Sequence, residues 1–345
     1  MNKFLPLALA AMLSGCGNLG YYAHLAKGQY QLLSQREKIS AIVADPSRDE
    51  KLRSRLKRVA AARAWAIQAL GLPDNGSYTL YADLGRPYVV WNVFAAPEFS
   101  LEPVQHCFLV VGCLAYRGYF DEAGAKAKSA ELAAAGNDVY VSGIPAYSTL
   151  GWFDDPVLSS MMRWDDEMLI GTVFHELAHQ KLYVKNDTAF NESFASFVEE
   201  EGLRQYLAVS GQTSDAHRLY KQRQHQFVQM VLGAREQLAG IYAGGLTPEE
   251  MRARKLAVLA SLRRDYAQLR DQQWQGWNGY DRWFEGELNN AKLLPFGLYD
   301  AWIPAFATLY AQQHQQWNAF YAAAKKLGEL EPDARAQQMN TLKGP

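Results

Sequence analysis

The chain has 345 residues, room for two ordinary domains, with 49% hydrophobic and 21% charged residues; that balance excludes a wholly disordered chain. Its 35 Lys and Arg stand against 36 Asp and Glu, so the broad basic footprint of a nucleic-acid binder is missing and no nucleic-acid partner is expected. Three cysteines are too few for a disulfide scaffold, and a core of this size needs no staples.

Met1-Asn2-Lys3 gives a short positive start, and Phe4 to Leu13 is an apolar run of ten residues. That is half of the roughly 20 needed to span a bilayer as a helix; it has the proportions of a secretory signal. The run ends in Leu13-Ser14-Gly15-Cys16, which resembles the bacterial lipobox, where the cysteine receives a diacylglycerol and the peptide is cut before it. Residues 1–15 are therefore expected to be a lipoprotein signal and Cys16 the lipid attachment site, against the plainer alternative of a signal peptide with an incidental cysteine. Gly17 stands where an aspartate would, by the same resemblance, mean retention at the inner membrane; the expected location is the outer membrane, facing the periplasm. With Cys16 lipidated, Cys107 and Cys113 remain as an even pair in an oxidising compartment. A disulfide between them is expected, in preference to two reduced, buried thiols. His106 beside them lacks neighbouring ligands and reads as structural.

Helical spacing covers Tyr21–Val43 and Asp49–Leu70, with Pro46 between them and Gly71-Leu72-Pro73 stopping the second. Ser77–Tyr119 has the texture of short strands broken by turns. Asp121 caps an Ala-rich helix ending at Gly136, and Asp138–Ile144 alternates as a further strand. After the loop Pro145–Pro156 the pattern is almost wholly helical: Asp165–Tyr183, Asn191–Val209, Ser214–Tyr242, Pro248–Trp274 and Tyr299–Lys326, then a polar tail after Glu331. The expected fold is α+β, a small mixed or antiparallel sheet followed by a mainly helical region. Residues 16–345 are expected to form one unit, with helices and sheet over 21–156 and the helical part over 157–330.

The helix Asp165–Tyr183 contains His175-Glu176-Leu177-Ala178-His179. Residues four apart share a helix face, so both imidazoles can address one metal. Glu176 lies about 100° round the helix from His175, beside the metal's open position. There it can take a proton from a water on the metal and return it to a leaving amine. A catalytic zinc takes three protein ligands and one open place. Glu192, in Asn191-Glu192-Ser193-Phe194-Ala195, opens a helix that can pack back on the first and supply the third ligand; an acid simply favoured at a helix N-terminus is the alternative. Glu199 returns to within about 20° of the same face and is a candidate partner for one histidine. His217 and His225 fall on a polar helix and are expected to be exposed.

His-Glu-Leu-Ala-His-Gln followed by Asn-Glu-x-Phe-Ala-x-x-Val-Glu resembles the zinc core of the large gluzincin aminopeptidases. The spacer from His179 to Glu192 is several residues shorter here, and the Gly-Ala-Met-Glu-Asn segment that grips a substrate's free amine in those enzymes is not found. Over most of its length the chain more closely resembles the zinc-aminopeptidase family of bacterial lipoproteins. The matching pieces are Tyr116-Arg117-Gly118-Tyr119-Phe120, Ala146–Phe153, the zinc helix, Asn191–Glu199 and Leu288-Asn289-Asn290-Ala291. The resemblance implies a gluzincin-like zinc aminopeptidase acting on peptides: one Zn²⁺ on His175, His179 and Glu192, with Glu176 as general base and acid. Tyr147 and Tyr299 are candidates to stabilise the oxyanion. The strand Asp138–Ile144 could pair with an extended peptide. Asp154 or Asp155 could meet its amine, although a loop cap is the simpler reading. An endopeptidase or cell-wall peptide amidase is the nearer alternative, and a non-enzymatic scaffold lipoprotein the farther one.

Overall fold

The computed structural model describes residues 5–108, 112–146, 148–149, 151–213, 215–296 and 302–344, with side chains from residue 20 onward. The α+β architecture is the expected one, with sheets of two or three strands followed by a mostly helical C-terminal part. Helix α1 (Leu5–Ser34) contains Cys16, whose side chain lies outside the described set. Among the described residues no helix is long and apolar enough to cross a membrane.

The first expected helix, Tyr21–Val43, is in fact interrupted. After α1 the chain forms β1 (Arg36–Lys38), then α2 (Ile39–Ala44) and α3 (Glu50–Leu70). Arg36 causes the break physically: its Nε donates to Leu33 O at 3.0 Å, capping a helix carbonyl, and its Nη1 reaches Asp154 O at 2.8 Å. β1 then pairs antiparallel with β2 (Leu80–Ala82), which runs parallel to the two-residue β8 (Val157–Leu158).

The second sheet has the order β6-β3-β7, from β3 (Val90–Pro97), β6 (Tyr116–Tyr119) and β7 (Asn137–Ile144), all antiparallel. Its alternation is legible in β3. Trp91, Val93 and Ala95 pack with Ala125 and Leu132 of α4 (Glu122–Ala134), while Phe94 and Ala96 face Ala291 and Leu294. The hairpin β4 (His106–Phe108) and β5 (Gly112–Leu114) sets Cys107 opposite Cys113, and a disulfide joins them. β7 is paired on one side to β3 and packed by α4.

Helix α1 lies along the outer edge of β6. Tyr21 donates its hydroxyl to Gly118 O at 2.9 Å, and Phe120 N–H donates to His24 Nε2 at 3.0 Å. Arg117 stacks its guanidinium 3.8 Å from the Tyr21 ring.

α5 (Asp166–Lys181) and α6 (Thr188–Val209) form the central hairpin of the main core, which also takes in α3 and the C-terminal helices. α7 (Asp215–Ala243) and α8 (Pro248–Gln268) form a second hairpin with a separate core; a π-helical turn, Leu269–Gln273, and the short α9 (Asp281–Phe284) follow. α10 (Asn290–Leu293) joins that hairpin to the sheet. Asn290 Nδ2 donates to the carbonyls of Glu98 and Ser100, its backbone N–H reaches Asp138, and Lys255 of α8 reaches Asp138 at 2.6 Å.

Two further expectations are corrected. Tyr299–Lys326 is not one helix: α11 (Ile303–Gln312) and α12 (Trp317–Gly328) are separated by His314 and Gln315, both at positive φ. The polar tail is a helix, α13 (Pro332–Lys343), because Arg335 and Met339 are buried. Arg335 Nε donates to Asp187, the N-cap of α6, at 2.7 Å.

Candidate metal centre

α5 begins where Asp165 accepts the Met168 N–H at 2.7 Å, with Asp166 and Glu167 in its first turn. Leu169, Val173, Phe174, Leu177 and Ala178 are buried, so the helix carries its two histidines inside the protein. The connection to α6 is short and clamped by one side chain. Asn191 accepts from Val184 N–H and donates to Val184 O, both at 2.7 Å. α6 starts at Thr188 under an Asp187 cap, so Glu192 sits in its second turn and not at its opening. The favourable N-terminal dipole is therefore a weak reason for an acid there.

The three expected ligands meet. His175 Nε2 and His179 Nε2 lie 3.1 Å apart, and Glu192 Oε2 is 3.3 Å from the first and 3.6 Å from the second. Among the described residues they are the one group whose ligand atoms fall close enough to hold a metal ion. Bonds of about 2.0–2.1 Å at tetrahedral angles put ligand atoms about 3.3–3.4 Å apart, and the observed triangle brackets that spacing. Two imidazole nitrogens and a carboxylate suit zinc. Two ring nitrogens face to face are also poor hydrogen-bond partners unless a cation or proton lies between them.

The charges around the site favour a cation. Burial works against a charged His175 ring, but hydrogen bonds to Glu192 and Glu199 and nearby carboxylate charge lift its pKa to about 10. Burial alone would raise the Glu192 pKa; the two histidines instead bring it down to about 2. Glu199 Oε2 meets His175 Nδ1 at 3.1 Å, the carboxylate–histidine contact that orients a metal-binding ring. Against its own burial, Glu199 is held well below the usual carboxylate range by Lys221 and His175.

Glu176 follows His175 on α5 and lies within charge reach of both histidines, Glu192 and Asp155. Burial raises its pKa, the two histidines oppose that, and the charges of Glu192 and Asp155 add to it. Tyr78 stands close enough to feel Glu176: its phenol is pushed far up, first by burial and then by the Glu176 and Asp155 charges. Its backbone sits at φ 61°, a conformation disfavoured for a bulky residue, and its N–H donates to Asp155 O at 2.6 Å. Asp155 is a loop cap, accepting from Ser148, from Thr149 N–H and from the Thr149 hydroxyl. Asp154 is exposed. Gln180, one turn beyond Glu176, ties this loop region to Ser77 and Asn75.

Of the other residues singled out in the sequence, Tyr147 and Tyr299 lie outside the described residues. Asn289 and Asn290 bond to backbone carbonyls of the sheet region and act as a structural clamp. His225 is exposed as expected, but His217 is buried, with Nε2 3.8 Å from Glu199 Oε1. Its polar helix turns that one face inward against α6. Sequence reasoning missed Tyr116, on β6, whose pKa is raised by burial and then by the charge of Glu192. It also missed Tyr183, whose ring lies 6.5 Å from that of His179.

A convergent donor triangle with a carboxylate beside it and tyrosines around it defines a candidate hydrolase centre. The chain belongs to the family described as "Putative aminopeptidase", whose model matches residues 20–339. That membership supports a peptidase function. No curated protein and no solved structure gives a significant match to the chain.

Proposed function

We propose that the protein is a zinc-dependent peptidase, one Zn²⁺ per chain, that removes residues from the amino end of peptides at the bacterial envelope. The observation that carries this reading is the triangle of His175, His179 and Glu192, whose 3.1, 3.3 and 3.6 Å edges suit one tetrahedral ion. Zinc bound there would supply the Lewis acidity that polarises a peptide carbonyl and acidifies water. The chain's own groups do the rest. Glu176, with its pKa raised, takes a proton from the attacking water. It gives that proton to the amine nitrogen as the C–N bond breaks, so the acyl carbon gains the hydroxyl and the leaving group the hydrogen. Tyr116, on β6 and within charge reach of Glu192, is the tyrosine we assign to donate to the developing oxyanion. The family description supports the amino-end preference, and Cys16 in its lipobox-like setting supports a lipid-anchored location, in the outer membrane facing the periplasm.

The test combines metal content with substrate choice. Mass spectrometry of the purified protein should find one zinc per chain, lost or sharply weakened in Glu192→Ala. Amino-acid anilides should be hydrolysed and their N-acetylated forms spared. Hydrolysis of both alike would move the reading to an endopeptidase or amidase, and a wild type without zinc after reloading would remove the metal altogether.

A further inference from the structure

We infer that Lys221 of α7 is a positioning residue for the metal centre, holding Glu199 in the orientation that serves His175. The inference rests on the metal reading above. Glu199 is a buried carboxylate with two differently engaged oxygens. Oε2 meets His175 Nδ1 at 3.1 Å, while Oε1 meets Lys221 Nζ at 2.9 Å and has His217 Nε2 at 3.8 Å. A histidine that binds metal through Nε2 is neutral and donates its Nδ1 proton to such a partner. It therefore brings no charge to balance Glu199, and a buried anion without a cation is costly.

Lys221 is the cation the structure supplies, with its side chain 21% exposed against 10% for Glu199. A second acid, Glu200, lies 3.9 Å from the same Nζ but is 37% exposed, so water can solvate it and its hold on Lys221 is weaker. The room for this arrangement comes from α5 itself. Gly171, one turn before His175, leaves open a place where a Cβ would stand 3.2 Å from Glu199 Oε1. Lys221 and His217 both belong to α7, so the metal's outer support is carried by a hairpin whose own core is elsewhere. Without Lys221 the Glu199 carboxylate has reason to turn toward solvent and leave His175 free to rotate.

The experiment uses the full-length protein in detergent and reads metal rather than turnover. The zinc dissociation constant is measured by competition with a chromophoric chelator, and Co²⁺ absorption bands are recorded for the same samples. Lys221→Met should weaken zinc binding about tenfold and shift the cobalt bands, while Lys221→Arg, which keeps the cation, stays within about threefold of wild type. If Lys221→Met does not fold, Lys221→Gln is read in its place, with weakening of about threefold or more expected. Wild-type affinity and an unchanged cobalt spectrum in the folded Met or Gln variant overturn the inference. A wild type that binds neither ion overturns the metal reading, and this inference with it.

Discussion

The α5–α6 hairpin and the α7–α8 hairpin solve the same packing problem with opposite contents. The core of the α7–α8 hairpin and the segment that follows it is apolar and aromatic: Phe227 of α7 stacks on Tyr280 at 3.8 Å, Tyr266 of α8 on Phe284 of α9 at 4.2 Å, and Val231, Leu238, Leu259 and Leu262 fill the rest. Between α5 and α6 two histidines meet the carboxylates of Glu192 and Glu199, while Phe174, Phe190 and Phe194 of the same helices are buried. Hydrophobic residues of similar volume would hold the second pair together at least as well, since buried charges rarely repay their desolvation. An interior that keeps charged groups at a cost in stability, all converging on one point, is an interior arranged for chemistry.

Substitutions can break this contrast from either side. Glu176→Gln should have the largest effect, a fall in hydrolysis of about 10²–10⁴-fold with zinc content by mass spectrometry unchanged. Phe227→Ala should do the reverse, lowering unfolding free energy by about 3–5 kcal/mol in denaturant titrations while the folded protein still carries one zinc. With zinc held as proposed, dialysis against chelator should cost about 2.7 kcal/mol relative to protein at free zinc one hundredfold above its dissociation constant. Hydrogen exchange should place that loss in α5 and α6 and spare α8. The smallest effect belongs to Thr247→Ala, which removes one half of the capping box that starts α8. About 1 kcal/mol is expected from calorimetry, with activity at wild-type level.

What could be read from the sequence divides along the same line as the energetics. The candidate ligands His175 and His179 are a local matter, four residues apart on one helix, and Glu192 and Glu199 follow from a second helix at a spacing of seven residues. Those positions therefore come from periodicity alone. Lys221, Tyr116 and Tyr78 lie on other elements, and their approach to the site depends on how α7, β6 and the loop before β2 are packed. No spacing in the chain encodes that. The short link between α5 and α6 has its explanation in Asn191, whose side chain makes both backbone bonds of Val184. The C-terminal helix α13 is polar in composition because only one face is used; Arg335 of that face seats the N-cap of α6. α1 stops at Ser34 and not at Val43 because Arg36 serves better as a helix cap and strand residue than as one more helical turn.

The contact of α1 with β6 carries a practical consequence. Tyr21 and His24 take up Gly118 O and Phe120 N–H, groups that an outer strand otherwise offers to any passing chain. Shortening the N-terminus to make the protein easier to handle is harmless only while Tyr21 and His24 are kept. A truncation that removes them leaves a bare strand edge, and such a sample is set to self-associate.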